Sequence, residues 1–167
     1  KTIIEVLYGT GIRVSELIEL KLSNIFFNEN ILKVTGKGNK ERFVPLGKIA
    51  IIEIKKYLNN RDKLKINSKF SDILFLNRYG RQLTRSMIFK VINDSSKNAE
   101  IDKKISPHTL RHSYATHLLK NGADLRTIQL ILGHESITTT EIYTHLDTFH
   151  LEDVLKKYHP RENKYQD

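Results

Sequence analysis

In Ile31-Leu32-Lys33-Val34 and Arg42-Phe43-Val44-Pro45-Leu46, two short runs rich in branched and aromatic residues flank the polar segment Gly36-Lys37-Gly38-Asn39-Lys40-Glu41. Runs of that composition separated by Gly and Asn predict a β-hairpin, here with a basic tip. Phe26-Phe27, just ahead of Asn28, predicts a further strand. The expectation is an α+β domain, mostly helical, with a small antiparallel sheet of about three strands packed on one side.

Outward from the hairpin the signals are helical. Upstream, Ile3, Ile4, Leu7 and Tyr8 recur at helical spacing until Gly9-Thr10-Gly11 breaks the run, and Val14, Leu17 and Ile18 make a second short amphipathic helix. Downstream, residues 48–65 predict a helix with Ile51, Ile52, Ile54 and Leu58 facing inward. Ile73-Leu74-Phe75-Leu76 is a short apolar run before the loop Arg78-Tyr79-Gly80-Arg81. Thr84 is expected to cap a helix over 85–99. Ser106-Pro107 combines a cap with Pro at the first helical position, and that helix is expected to reach Asn121 and stop at Gly122. Asp124 caps the next helix and Gly133 ends it. Thr138-Thr139-Thr140 precedes a helix carrying Tyr143, and an amphipathic stretch over 148–157 leads to a polar tail from His159-Pro160 onward.

Of the 167 residues, 39% are hydrophobic, enough to bury a core, and 28% are charged. No apolar run approaches the ~20 residues of a membrane span. Lys1-Thr2-Ile3-Ile4-Glu5 lacks a secretory pattern, and with no initiating Met the chain is expected to be a piece of a longer protein. The absence of cysteine excludes disulfides, thiolate metal sites and cysteine nucleophiles, and fits a reducing cytoplasm. Twenty-eight Lys and Arg stand against 19 Asp and Glu, a net charge of +9 that favours a polyanionic partner, nucleic acid first, over the plainer alternative of a lysine-rich surface.

Several residues have a chemical reading beside a plain one. His108 and Arg111, at i and i+3, share one face at a helix start, while Leu110, Tyr114 and Leu118 form the core stripe. Free N–H groups and the positive dipole end make such a start a phosphate site, or simply a capped surface helix. His134, just past Gly133, is either an exposed donor to an anion or a C-capping imidazole. Tyr143, between Thr140 and Thr144, is a core residue or an outward nucleophile, which with a free pKa near ~10 needs help to ionise. Arg13, leaving a Gly-containing turn, is suited to bidentate grip of phosphate oxygens, or pairs with Glu16 on its own helix.

Together, Gly-Thr-Gly-Ile-Arg-Val-Ser-Glu-Leu at 9–17, Gly-Lys-Gly-Asn-Lys-Glu-Arg at 36–42, His-Thr-Leu-Arg-His at 108–112, Leu-Gly-His at 132–134 and Ile-Tyr-Thr-His at 142–145 resemble the tyrosine recombinase (phage integrase) family, in its order and spacing. The resemblance covers essentially the whole chain, and within the family it is closest to bacterial Xer recombinases. It implies a metal-independent, cofactor-free DNA strand transferase in which Tyr143 attacks the scissile phosphate to form a 3′-phosphotyrosyl link. It implies Arg13 and Arg111 on the non-bridging oxygens, Lys37 protonating the leaving 5′-oxygen, His108 as general base and His134 as a donor to phosphate. Lys40 and Arg42 are expected on the DNA backbone. Arg85, at a helix start that family members set against DNA, is expected either to read a base edge or to be a solvated surface residue. His112, His117 and His145 fall outside the implied set and are read as structural.

The implied organisation is a catalytic domain over 1–167: a core with the active site over 1–147, a C-terminal helix over 148–158 that family members donate to a neighbouring protomer or that folds back on its own domain in a lone piece, and a polar tail over 159–167. The family's N-terminal DNA-clamping domain is absent from this stretch. Implied partners are a double-stranded recombination site, other recombinase protomers in a homo- or hetero-tetramer, and a DNA translocase, with no membrane. The expected biological role is chromosome dimer resolution, with integration of a mobile element or a non-catalytic DNA-binding module of the same fold as alternatives. A metal hydrolase built on His108, His112 and His117 lacks the Glu of an HExxH arrangement. A type IB topoisomerase-like enzyme shares the chemistry but not the Xer-like spacing.

Overall fold

A computed structural model describes residues 1–133 and 145–163 and, within them, all side chains except those of Lys37, Asn163 and residues 145–149. Helices α1 (Thr2–Thr10) and α2 (Val14–Glu19) precede strands β1 (Ile25–Phe26), β2 (Ile31–Thr35) and β3 (Glu41–Pro45). Helices α3 (Lys48–Arg61), α4 (Arg85–Asn98), α5 (Pro107–Lys120), α6 (Leu125–Leu132), α7 (His145–Tyr158) and α8 (Pro160–Asn163) follow. The domain is α+β and mostly helical, with one antiparallel three-stranded sheet in the order β1-β2-β3.

The hairpin forms as its composition predicts. Val34 pairs with Arg42 and Thr35 with Glu41. The Gly36 N–H closes the turn onto the Lys40 carbonyl at 2.8 Å, and Gly38 and Asn39 turn the chain at φ 72 and 59. β1 lies one residue earlier than Phe26-Phe27, because Ile25 is the partner of Leu32. Leu32, Val34 and Val44 are buried and join Leu7, Ile12, Leu17, Ile54 and Tyr114 in the core. Alternation along β3 puts Arg42 on the same inward face as Val44.

Helix starts are fixed by the expected caps. Thr84 accepts the Met87 N–H at 3.3 Å, and Asp124 accepts the Thr127 N–H at 2.9 Å. Ser106 accepts the Thr109 N–H at 3.2 Å while Thr109 Oγ1 takes the Ser106 N–H at 3.3 Å, a reciprocal box. Each such cap contributes about 1 kcal/mol.

α3 departs from expectation in length and phase. It ends at Arg61, whose buried guanidinium turns in to donate to the carbonyls of Ser71, Ile73 and Leu74, organising the irregular connection to α4. Ala50, Ile54 and Arg61 define the inner face, so Ile52 is 47% exposed, and the carboxylate of Glu53 is instead held by Lys1 and Lys56.

The C-terminal segment packs on its own chain. Leu151, Val154 and Leu155 of α7 are buried. Asn30 donates to Glu152 at 3.0 Å, Arg161 pairs with Glu5, and Glu162 accepts the Lys48 N–H at 2.8 Å at the start of α3, where a carboxylate also suits the helix dipole. The polar tail expected from His159 is therefore not loose over 159–163: His159 is 1% exposed, its ring 5.0 Å from that of Tyr8 and 5.4 Å from that of Tyr114. No helix among the described residues is long and apolar enough to cross a membrane.

Candidate active site

α6 ends at Gly133, with φ 67. The last carbonyls of a helix lack intrahelical partners and carry the negative end of its dipole, so they attract cations. Here three successive carbonyls are taken by three arginines from three elements. Arg42 Nε donates to Ile131 O at 3.0 Å, Arg111 Nη2 to Leu132 O at 2.8 Å, and Arg13 Nη2 to Gly133 O at 3.1 Å. Arg111 Nη1 also donates to Gly11 O, at the end of α1, at 2.6 Å.

One buried carboxylate organises the group from behind. Glu16 receives both terminal nitrogens of Arg42, at 2.6 and 3.0 Å. It also receives the Arg13 guanidinium at 3.1 Å and the Arg13 N–H at 2.7 Å. Burial pushes the Glu16 carboxyl up, but the Arg42 hydrogen bonds and the charges of Arg42 and Arg13 outweigh it and hold it below its ordinary value. Arg111 is pushed down to about 10, by burial first and then by the charges of Arg13 and Arg42, and so stays protonated at neutral pH. Two guanidiniums, those of Arg13 and Arg42, thus share the carboxylate of Glu16, while Arg111 beside them is held by backbone carbonyls. The hydrogen bonds above engage two of the five N–H groups of each of Arg13 and Arg111.

A cleft of about 610 Å³ opens beside them, bounded by Arg13, Val14 and Ser15, by Arg85 and Phe89 of α4, and by His108, Arg111 and His112 of α5. It brings together three of the residues singled out for phosphate chemistry, Arg13, His108 and Arg111, and adds Arg85 from the expected DNA-facing helix. Arg13 pairs with Glu16, as its plainer reading has it, and it also lines the cleft. His134 and Tyr143 lie outside the described residues. The backbone of Lys37 opens the hairpin turn, and its side chain lies outside the description. Lys40 is exposed on that turn.

Arg42 requires a correction. It was expected on the DNA backbone, but it is 7% exposed and its guanidinium is committed to Glu16 and to Ile131 O, so it is not presented to a phosphate. Its place on the Val44 face of β3 is the signal that would have revealed this. His112 was placed outside the implied set, yet it lines the cleft, as its position one turn after His108 allows. His117 has a structural partner, its Nδ1 lying 2.8 Å from the Tyr8 hydroxyl. Among the described residues, no group of three or more His, Asp or Glu side chains is arranged to hold a metal ion.

Comparison with known proteins matches the phage integrase family over residues 1–150. Tyrosine recombinase XerD of Listeria monocytogenes serotype 4b (strain F2365) is 48% identical over 162 residues, covering 96% of this chain and 54% of that protein. Tyrosine recombinase XerD of Halalkalibacterium halodurans is 49% identical over 162 residues with the same coverage. The chain thus spans about half the length of the curated relatives it matches. Among solved structures, the XerA recombinase superposes with a TM-score of 0.75 at 37% identity, covering 91% of this chain and 55% of that one. The XerH site-specific recombinase bound to its difH substrate, a pre-cleavage complex, gives 0.71 at 31% identity, covering 93% and 45%.

Proposed function

The chain belongs to the phage integrase family, and from that premise we propose that it is the catalytic part of an Xer-type tyrosine site-specific recombinase, which cleaves and rejoins DNA strands through a 3′-phosphotyrosyl intermediate. The observation that carries the proposal is the charge of the cleft. Arg13, Arg42 and Arg111 gather around one buried carboxylate, Glu16, which bonds to Arg13 and Arg42, and two of the three guanidiniums, Arg13 and Arg111, face a cavity that also holds His108. Such a cluster calls for an anion, and a phosphodiester gaining negative charge on the way to a phosphorane suits it better than a neutral ligand. Fixed donors aimed where charge develops are the largest single source of stabilisation in reactions of this kind.

In the proposed reaction, Tyr143 Oη bonds to phosphorus while its proton passes to His108. The bond to the 5′-oxygen breaks, and Lys37 protonates the departing oxygen. Arg13 and Arg111 hold the non-bridging oxygens, and His134 donates a further hydrogen bond. A 5′-hydroxyl from another strand then attacks the phosphotyrosine and frees Tyr143, so the bond energy is conserved and the step needs no nucleotide cofactor. Lys40 and Arg85 contact DNA beside the cleft. The natural substrate is a recombination site held by a tetramer of recombinase protomers, with chromosome dimer resolution as the biological setting, served by a DNA translocase. The whole protein adds an N-terminal DNA-clamping domain, and its C-terminal helix, packed on its own chain in this structure, passes to a neighbouring protomer in the assembly.

Single-turnover cleavage of a nicked duplex tests the arginine assignment. Arg13→Ala and Arg111→Ala are each expected to slow cleavage by ~100-fold or more, the cost of removing one donor to a developing oxyanion, with DNA binding at low salt largely retained. Normal cleavage by either variant would remove that arginine from the site.

A further inference from the structure

Glu16 and Arg42 form a buried bidentate ion pair set behind the cleft. Replacing such a pair by packed apolar residues is often neutral or stabilising, so stability alone is a poor reason for it. Its placement supplies a better one. A Cβ added to Gly36 would lie 3.4 Å from Glu16 Oε1 and 3.7 Å from Arg42 Nη1, and one added to Gly133 would lie 2.9 Å from Arg42 Nε. The pair therefore packs directly on the backbone one residue before Lys37 and one residue before His134, while Glu16 accepts the N–H of Arg13 itself.

We infer that Arg42 is a positioning residue for strand cleavage, whose two-pronged bond to Glu16 seats the Lys37 turn against the arginine cleft. The inference rests on the recombinase reading above, in which Lys37 protonates the leaving oxygen. Arg42 is well placed for this task. It lies on β3 opposite Val34 of β2, so it is tied to both strands that frame the turn, and Glu16 belongs to the helix that Arg13 opens. Arg111 is held independently by Gly11 O and Leu132 O, whereas the turn meets α2 where Gly36 packs on the pair. The planar guanidinium fixes an orientation that a lysine ammonium at the same place cannot.

Sulfur substitution separates this role from a general one. With oxygen at the bridging 5′ position, the electron pair of the breaking P–O bond leaves on an alkoxide that needs the Lys37 proton. With sulfur there it leaves as a thiolate, whose thiol has a pKa near ~8.5 and which departs without one. Wild type, Lys37→Ala and Arg42→Lys are compared in single-turnover cleavage of both duplexes, with melting temperature and DNA binding as controls. Arg42→Lys is expected to slow the oxygen substrate by about 10-fold or more, short of the roughly 10²–10⁴-fold of a lost general acid, and to cleave the sulfur substrate at close to the wild-type rate. Equal slowing on both substrates, or slowing on neither, overturns the inference while leaving the recombinase reading intact. If Lys37→Ala is itself not rescued by sulfur, the general-acid reading fails and takes the inference with it. Should Arg42→Lys unfold at the assay temperature, the neutral pair Arg42→Gln with Glu16→Gln is scored by the same ratio.

Discussion

Glu16 and His159 are both buried, and they answer burial in opposite ways. Glu16 keeps its charge because two arginines supply hydrogen bonds and countercharge. His159, between the rings of Tyr8 and Tyr114, accepts the Arg161 N–H on Nδ1 at 3.3 Å, and burial, reinforced by the charges of His117 and Arg161, pushes its pKa down to about 4. An unfolded chain binds a proton at this histidine below about 6.5, while the folded one does not until about 4. Between those values the unfolded state holds more protons, so the contribution of His159 is complete above about pH 6.5 and falls as pH drops toward 4. At 1.36 kcal/mol per pKa unit, the loss is on the order of 3 kcal/mol. Urea unfolding at pH 7 and pH 5 is expected to show wild type losing more stability than His159→Phe. Parallel losses would mean that His159 is not buried in neutral form. Glu16, held below its ordinary pKa, acts in a lower window: its contribution is present above about 4.5 and is lost as pH falls through its folded value.

Helix ends carry the site, and they are also what the sequence reveals best. Thr84, Ser106, Asp124 and Gly133 act within three or four residues of themselves, so their roles follow from local hydrogen-bonding rules. The hairpin, closed by Gly36 and Lys40, is local in the same sense. Arg42 escaped because its partners lie 26 and 89 residues away in sequence, and only its alternation with Val44 along β3 sets it apart from the exposed Lys40. Ile52 and Arg61 escaped because packing against the connection to α4, which no periodicity describes, sets the phase and end of α3. Two glycines test the terminal carbonyl cluster at this scale. Gly38 and Gly133 have similar positive φ, 72 and 67, so alanine at either meets a left-handed penalty of roughly 1–2 kcal/mol. A Cβ on Gly38 meets nothing within 4 Å, whereas one on Gly133 runs into Arg42. Gly133→Ala is therefore expected to destabilise the domain by more than Gly38→Ala in urea titration. Equal costs would show that Arg42 does not press on the end of α6.

At the scale of the whole molecule, a net charge of +9 and a cleft lined by arginine and histidine are one design seen at two distances. In the proposed function, the general charge draws in a polyanion, and the cleft holds one phosphate of it. Around that cleft the chain is tied together by its ends, since Arg161 pairs with Glu5 and Glu162 caps α3. Of the expected constellation, Arg13 comes from the start of α2 and His108 and Arg111 from α5, and tertiary packing brings these three to one cleft, so their convergence was legible only as an ordered set of motifs and not from any one of them. The most direct test of the account is to incubate the protein with a nicked suicide duplex carrying a recombination site, denature it, and look for protein covalently bound to the 3′ end. A denaturation-resistant adduct formed without metal and lost in Tyr143→Phe is the predicted result. An adduct that persists in Tyr143→Phe, or none from the wild-type protein while it binds the same DNA, would contradict it.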